Sequence, residues 1–492
     1  MTWLLAPALG ALFCFAIAPF DQWWWSIVSM AGLFLLLERE PNLHPGLVTW
    51  LYGLGKFGLG ASWVYVSINV YGGAPPLLAV VMVVLFVAFA SLLFCFPLGW
   101  LWGKFRHANG NARALAFVGF WGFTDWLSTW FLTGFPWLFP VNGMMDVWLG
   151  GWLPVLGVLG TSLLAALVSV SLVRCFAPEV NKSTRAMFAS LALLPWLAGA
   201  ALQDVEWTKE QARHSVALVQ GNLDQNIKWD RDQVIPNVRK HMDLSAPHWQ
   251  SDVLIWPEAA ITAYPQQAQR LLEDLARQAN ETETAFIFGI PSIEQVGDDY
   301  EFKNLAMGMG LASGRFAKHH LVPFGEYVPF ESVLRGLIEF FDLPMSSSTP
   351  GKRDQANLST HIGQMAMAIC YEVAYGESMR AKSADSAVLA TISNDTWFGD
   401  SLGPKQHMQL AQLRAKENGR WMLRATNNGI TAIVDHRGGI TAVLPQFEAD
   451  TLTGEFAVMQ GTTPYTDYGS WPFFVLLLLC LVPAIGGILR PS

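Results

Sequence analysis

Charge is scarce in this chain. Only 14% of its 492 residues are Asp, Glu, Lys or Arg, while 52% are hydrophobic and 22 are Trp. A soluble domain carries roughly a quarter charged residues. The shortage is uneven. Residues 1–200 hold almost no charge, 205–465 read like a soluble domain, and 471–489 are apolar again. Runs of Lys or Arg are missing and the net charge is −8, which excludes a surface that tracks phosphates along a nucleic acid. Cysteine is nearly absent from the polar part. Cys14, Cys95, Cys175 and Cys480 lie in or at the ends of apolar stretches, where the thiol acts as a small hydrophobe; only Cys370 remains. One thiol closes no disulfide within that part, and without a CxxC pair neither a zinc nor a thiol-redox centre is expected.

The apolar stretches read as membrane spans. A helix needs about 20 apolar residues to cross a bilayer core. Eight candidates fall at about 3–20, 23–37, 47–70, 76–102, 113–133, 152–174, 186–203 and 471–489. The first lacks the basic start and cleavage site of a signal peptide. If the N-terminus is cytoplasmic, the inner loops hold Arg39, then Lys104, Arg106 and Arg113, then Arg174, Lys182 and Arg185, with Arg490 at the end. The opposite loops carry only Asp21 and Asp146. This asymmetry predicts a seven-span bundle at 1–204, an extracytoplasmic domain at 205–465 and a last span at 471–489, with both termini cytoplasmic. In a bacterium the domain would face the periplasm. Lys56 and Asp125 are rare charges within spans, and such charges are functional suspects.

Within 205–465, apolar runs alternate with helical stretches, which predicts an α/β or layered α+β domain whose sheets are covered on both faces. Strand-like runs end in chemistry at two places. Trp256-Pro257-Glu258 stops a strand at a proline and offers a carboxylate. Met365-Ala-Met-Ala-Ile-Cys370-Tyr-Glu372 runs an apolar strand straight into a thiol. Lys318 stands in a third motif, Arg315-Phe-Ala-Lys-His-His-Leu-Val-Pro-Phe-Gly-Glu-Tyr-Val-Pro329. A lone Glu or Lys of this kind is usually solvated, and a lone Cys usually packs. The three contexts together argue for a site.

These motifs resemble the nitrilase family signature, as do Asn394-Asp395-x-Trp397-Phe398-Gly399 and the stretch from His407 through Arg414 and Glu417 to Arg420. That family implies an α-β-β-α sandwich with a catalytic Glu, Lys and Cys, here Glu258, Lys318 and Cys370. Ser62-Trp63-Val-Tyr65-Val-Ser67, Thr133-Gly-Phe-Pro-Trp137 and Val219-Gln-Gly-Asn222 through Lys228-Trp229 are similar to its membrane-embedded branch, the apolipoprotein N-acyltransferase family. That resemblance covers essentially the whole chain. It implies transfer of a fatty acyl chain from a phospholipid, typically phosphatidylethanolamine, to the amine of a lipoprotein's diacylglyceryl-cysteine. It also implies that Glu326 is a second carboxylate holding Lys318, and that Trp229 handles substrate.

The residue chemistry is compatible with that reaction. Glu258 serves as general base towards Cys370, and Lys318 steadies the thiolate and the oxyanion. A preorganised donor of this kind is worth roughly 3–4 kcal/mol. The N–H of Tyr371 is a further oxyanion donor, and Glu372 either shapes the pocket or supports it structurally. No metal, nucleotide or other cofactor is needed. Arg414, Glu417 and Arg420 read as a structural ion-pair network on one helix. A dyad of His319 or His320 with the thiol is less suited than Lys318. Residues 331–345 have a helical apolar period and are expected to form a lipid-facing lid, with Phe340 and Phe341 touching substrate. Three alternatives stand beside the acyltransferase: a membrane-tethered amidase using water, a transporter with a soluble appendage, and a non-catalytic lipoprotein-binding module.

Overall fold

The computed structural model describes residues 2–39, 43–297, 299–329 and 347–488. Helices fill the chain as far as Gln203, strands and helices alternate from Lys209 to Gln460, and a last helix runs Trp471–Ile488. Among the described residues, three helical stretches are long and apolar enough to cross a membrane: Pro76–Gly103, Trp148–Phe176 and Lys182–Gln203. Eight stretches of that kind were expected. The remaining apolar helices are shorter or interrupted; Thr2–Phe13 has 12 residues, and Trp24–Arg39 and Pro45–Gly60 have 16 each.

Small residues let the first helices touch. A Cβ on Gly10 would lie 1.9 Å from the Tyr52 carbonyl oxygen, and one on Gly55 would lie 1.8 Å from that of Pro7. Thr2–Phe13 and Pro45–Gly60 therefore pack backbone to backbone. Lys56 and Asp125 both meet Trp121. The Lys56 ammonium lies 5.4 Å from its ring centre and 4.5 Å from that of Phe13, and its indole N–H donates to Asp125 Oδ2 at 3.0 Å.

In chain order the strands are β1 Lys209–Gln220, β2 Val253–Ile255, β3 Ala285–Val296, β4 Asp299–Gly310, β5 Ala312–Ser313, β6 Arg315–Ala317, β7 Leu358–Thr360, β8 Gly363–Ile369, β9 Val388–Ser393, β10 Met422–Thr426, β11 Thr431–Val434, β12 Ile440–Leu444 and β13 Asp450–Gln460. They form two sheets, ordered β13-β1-β2-β3-β4-β6 and β12-β11-β10-β9-β8-β7-β5. At the heart of each sheet three strands run parallel, β1-β2-β3 and β8-β9-β10.

Alternation along the strands explains the layers. Val216, Leu218, Val253, Ile255 and Ile287 join the core shared with Met365, Met367 and Ile369 of the other sheet. Their neighbours Ala217, Val219, Leu254, Phe286 and Phe288 face a second core with Val238 and Leu275, which lie on helices Val234–Ser245 and Gln269–Glu281. Helices Gly376–Ser383 and Gly403–Asn418 cover the other sheet. The result is the expected helix–sheet–sheet–helix sandwich, buried on both faces of each sheet.

Candidate active site

Glu258 follows the C-terminal end of β2. It is only 6% exposed, yet both carboxylate oxygens are engaged. Oε1 accepts from the Asn304 side-chain amide at 2.6 Å, and Oε2 accepts from the Asn394 backbone N–H at 2.8 Å. The strand next door has to let this segment in. A Cβ on Gly289 would lie 2.5 Å from the Ala259 nitrogen and 2.7 Å from the Glu258 Cα, so only glycine leaves room there.

Lys318 follows β6 and is 1% exposed. Its ammonium lies 2.7 Å from Glu326 Oε1 and 3.6 Å from Glu258 Oε1. The other Glu326 oxygen accepts from the Val322 N–H at 2.8 Å, which fixes the carboxylate. Burial pulls the ammonium down, but the Glu326 and Glu258 charges outweigh it and hold Lys318 well above the usual lysine range.

Cys370 ends β8 with φ +54, in the left-handed region, and opens a helical turn that runs to Ala374. For a residue with a Cβ that conformation costs about 1–2 kcal/mol. Burial first, then the Glu258 charge, push the thiol up to about 12, with Lys318 acting the other way. Burial and the Glu258 charge thus favour the thiol over the thiolate.

Glu372 fastens the turn from inside. Its Oε1 accepts from the N–H groups of His319 (2.8 Å) and His320 (3.2 Å), and its Oε2 from that of Ile369 (2.8 Å). One buried carboxylate thus joins the residues beside Lys318 to those beside Cys370. His319 bonds the Gly351 carbonyl through Nδ1 at 2.7 Å, and His320 stacks on Tyr375 at 3.8 Å.

Sequence reading alone assigned no role to a second frame. His407 Nε2 donates to the Cys370 carbonyl oxygen at 3.1 Å, and its Nδ1 lies 2.9 Å from Asp395 Oδ1. Asp395 Oδ2 accepts from Arg424 at 2.6 Å, and its Oδ1 also accepts from the Ser393 hydroxyl. The Arg424 charge and His407 keep the Asp395 carboxyl well below the usual range, overcoming its burial. The segment 393–395 therefore braces the nucleophile through Asp395 and the base through Asn394. A readable signal existed in Arg424, a charge in the middle of the apolar strand β10. Asn304 gave no comparable signal, because β4 is only half buried.

The other expected residues fall in different places. Arg414 and Glu417 form an ion pair at 3.0 Å, but Arg420 bonds instead to the carbonyls of Ser386 and Gly461. Trp229 is partly exposed, with its indole N–H buried. Phe340, Phe341 and the rest of the expected lid lie outside the described residues.

Bundle and sandwich meet next to the nucleophile. Leu132, Thr133 and Gly134 all have positive φ, at 50, 72 and 80°. The Tyr375 hydroxyl donates to the Thr133 carbonyl at 2.8 Å, and that of Tyr371 to the Gly134 carbonyl at 3.3 Å. Trp137 stacks on His407 with ring centres 5.5 Å apart and donates to Gln406 at 2.7 Å. A cavity of about 1760 Å³ lies alongside, with Trp126, Trp130, Trp471, His320, Tyr375 and Arg380 in its lining. Glu258, Lys318 and Cys370 are not in its lining, consistent with their burial.

Comparison with known proteins matches residues 9–171 to the apolipoprotein N-acyltransferase N-terminal domain and 215–463 to carbon-nitrogen hydrolase. The apolipoprotein N-acyltransferase of Pseudomonas syringae pv. tomato is 43% identical over 97% of this chain and 95% of its own. That of Pseudomonas aeruginosa is 42% identical over 99% and 96%, and that of Vibrio parahaemolyticus 37% over 98% and 96%. Among solved structures, a carbon-nitrogen hydrolase from Helicobacter pylori is 13% identical with a TM-score of 0.37, covering 57% of this chain and 99% of that one.

Proposed function

The chain belongs to the apolipoprotein N-acyltransferase family, and we propose that it works through a thioester on Cys370. It is an acyltransferase of lipoprotein biosynthesis, taking its acyl group from a phospholipid and delivering it to a lipoprotein. The donor is phosphatidylethanolamine, and the acceptor is the N-terminal amine of a diacylglyceryl-cysteine. The protein sits in a bacterial inner membrane with eight spans, seven in 1–204 and one at 471–489. Residues 205–465 form the catalytic domain on the periplasmic side, and both termini are cytoplasmic.

The observation that carries the mechanism is the buried pairing of Lys318 with two carboxylates beside a thiol. Glu258 takes the Cys370 proton as the sulfur attacks the ester carbonyl. Lys318 and the Tyr371 N–H receive the charge that develops on oxygen. The C–O bond then breaks, and Glu258 protonates the departing lysophospholipid alcohol. In the second half-reaction Glu258 takes a proton from the incoming amine as its nitrogen bonds to the thioester carbon, the C–S bond breaks, and the proton returns to sulfur. Dividing the transfer in this way predicts ping-pong kinetics. Glu326 holds Lys318, and Glu372 and Tyr371 shape the site. Trp229 contacts substrate.

Intact-protein mass spectrometry after incubation with phospholipid and no amine tests the reading. The expected adduct has the mass of a fatty acid less water and is absent in Cys370→Ala. Full lipoprotein acylation by Cys370→Ala would sink the mechanism.

A further inference from the structure

A second lysine lies buried near the base. Lys228 is 1% exposed, and its ammonium has no hydrogen-bond partner among the described residues. The adjacent Trp229 indole N–H is also buried without a partner. The ammonium lies 5.6 Å from the centre of the Trp229 ring. Two neighbouring donors therefore lack an acceptor. Burying an ammonium in this state is costly, and native folds rarely leave such groups unsatisfied without a reason.

The loop that carries them is firmly held. The Leu223 N–H donates to Asn427 Oδ1, and Asn427 Nδ2 returns a bond to the Leu223 carbonyl, both at 2.9 Å. Asn394 Nδ2 donates to Gln225 Oε1 at 2.7 Å, and Asn237 Nδ2 to the Lys228 carbonyl at 2.9 Å. Asn394 also supplies the N–H that holds Glu258, so one residue anchors both the loop and the base. Burial lowers the Lys228 ammonium to about 8, with the Glu258 charge pulling the other way. An anion placed against the ammonium would favour its charged form.

We propose that Lys228, with the Trp229 indole N–H, forms a subsite for the phosphodiester of the donor phospholipid. This rests on the reading that a phospholipid acylates Cys370. The phosphodiester is the anionic group of that substrate and is joined to the reacting ester through glycerol. It offers acceptor oxygens to both orphaned donors, and a charge-assisted bond to an ammonium is the stronger kind. The acceptor lipoprotein also carries oxygens, in its ester and amide carbonyls, but these are uncharged.

The test compares two acyl donors on the full-length enzyme in detergent: phosphatidylethanolamine and a p-nitrophenyl fatty ester, which has no phosphate. Single-turnover acylation of Cys370 is followed by intact mass for wild type, Lys228→Met and Lys228→Arg. In Lys228→Met the rate from phospholipid relative to the rate from the neutral ester is expected to fall by at least about tenfold. Lys228→Arg should recover most of that ratio. An unchanged ratio in Lys228→Met overturns the subsite: equal losses would make Lys228 a charge partner of Glu258, and no loss would make it structural. A defect confined to transfer from preformed acyl-enzyme onto an acceptor lipopeptide would assign the donors to the acceptor and overturn the proposal too. Thermal midpoints confirm that Lys228→Met is folded; if it is not, Lys228→Gln replaces it. Failure of wild type to acquire any acyl group from phospholipid would instead reject the underlying thioester reading.

Discussion

Asn304 holds one oxygen of Glu258 at 2.6 Å, leaving the base a single backbone bond if that amide is removed. Asn304→Ala frees the carboxylate to turn towards Lys318, 3.6 Å away. Misplacing a reacting group by about an ångström costs on the order of 100-fold in rate. Acylation of Cys370 is therefore expected to slow by about 10- to 100-fold, measured by single-turnover mass spectrometry, and the thermal midpoint to fall as a buried carboxylate loses a donor. Wild-type acylation by Asn304→Ala would show that the backbone bond from Asn394 is sufficient. Glu258 and Cys370 could be picked out of the sequence because each follows an apolar run, and Lys318 because it stands in the motif 315–329. Asn304 could not. An asparagine on a half-exposed strand looks the same whether its amide meets water or a buried carboxylate.

Helix Gly403–Asn418 reaches across to the end of β8 through His407, whose Nε2 donates to the Cys370 carbonyl. That bond steadies a residue at φ +54, where backbone strain works against the native turn. His407→Phe keeps the ring but leaves a buried carbonyl without its donor, which costs about 1–3 kcal/mol. The expected result is a lower thermal midpoint and acylation slowed by about tenfold or more. His407→Gln, which retains a donor amide, should lie closer to wild type. Equal loss in both variants would point to general packing rather than to this bond. Apolar strands were legible at this scale: β2 ends just before Trp256-Pro257, and β8 runs into Cys370, where the sequence pattern places them. Strands β4, β12 and β13 were not, because their exposed residues and glycines break the apolar run. β13 borrows its order from its long antiparallel pairing with β1. The expected stretches 3–20 and 47–70 correspond to the shorter helices Thr2–Phe13 and Pro45–Gly60, while 23–37 corresponds to Trp24–Arg39.

Across the whole molecule, the sandwich depends on keeping two histidines neutral. His241 lies on helix Val234–Ser245, fully buried, with Nδ1 bonded to the Asn237 carbonyl at 2.8 Å and Nε2 lacking a partner among the described residues. Burial lowers it to about 4, even though the bond to Asn237 acts in the opposite direction. His320, stacked on Tyr375, is lowered to about 3, first by burial and then by the charge of His319. In the unfolded chain a histidine takes its proton near pH 6.5. Below that value, and down to about 4 for His241 and about 3 for His320, the unfolded state binds more protons than the folded one. Stability therefore falls as the pH falls through this window and is restored as it rises above 6.5. His241 alone accounts for roughly 3 kcal/mol over the window. The thermal midpoint of the detergent-solubilised protein should drop steadily between about pH 6.5 and 4. His241→Phe should flatten much of that slope while leaving the midpoint near pH 8 comparatively little changed. An equally steep slope in His241→Phe would mean that protonation of other groups drives the acid sensitivity, and that the His241 site opens to water before it charges.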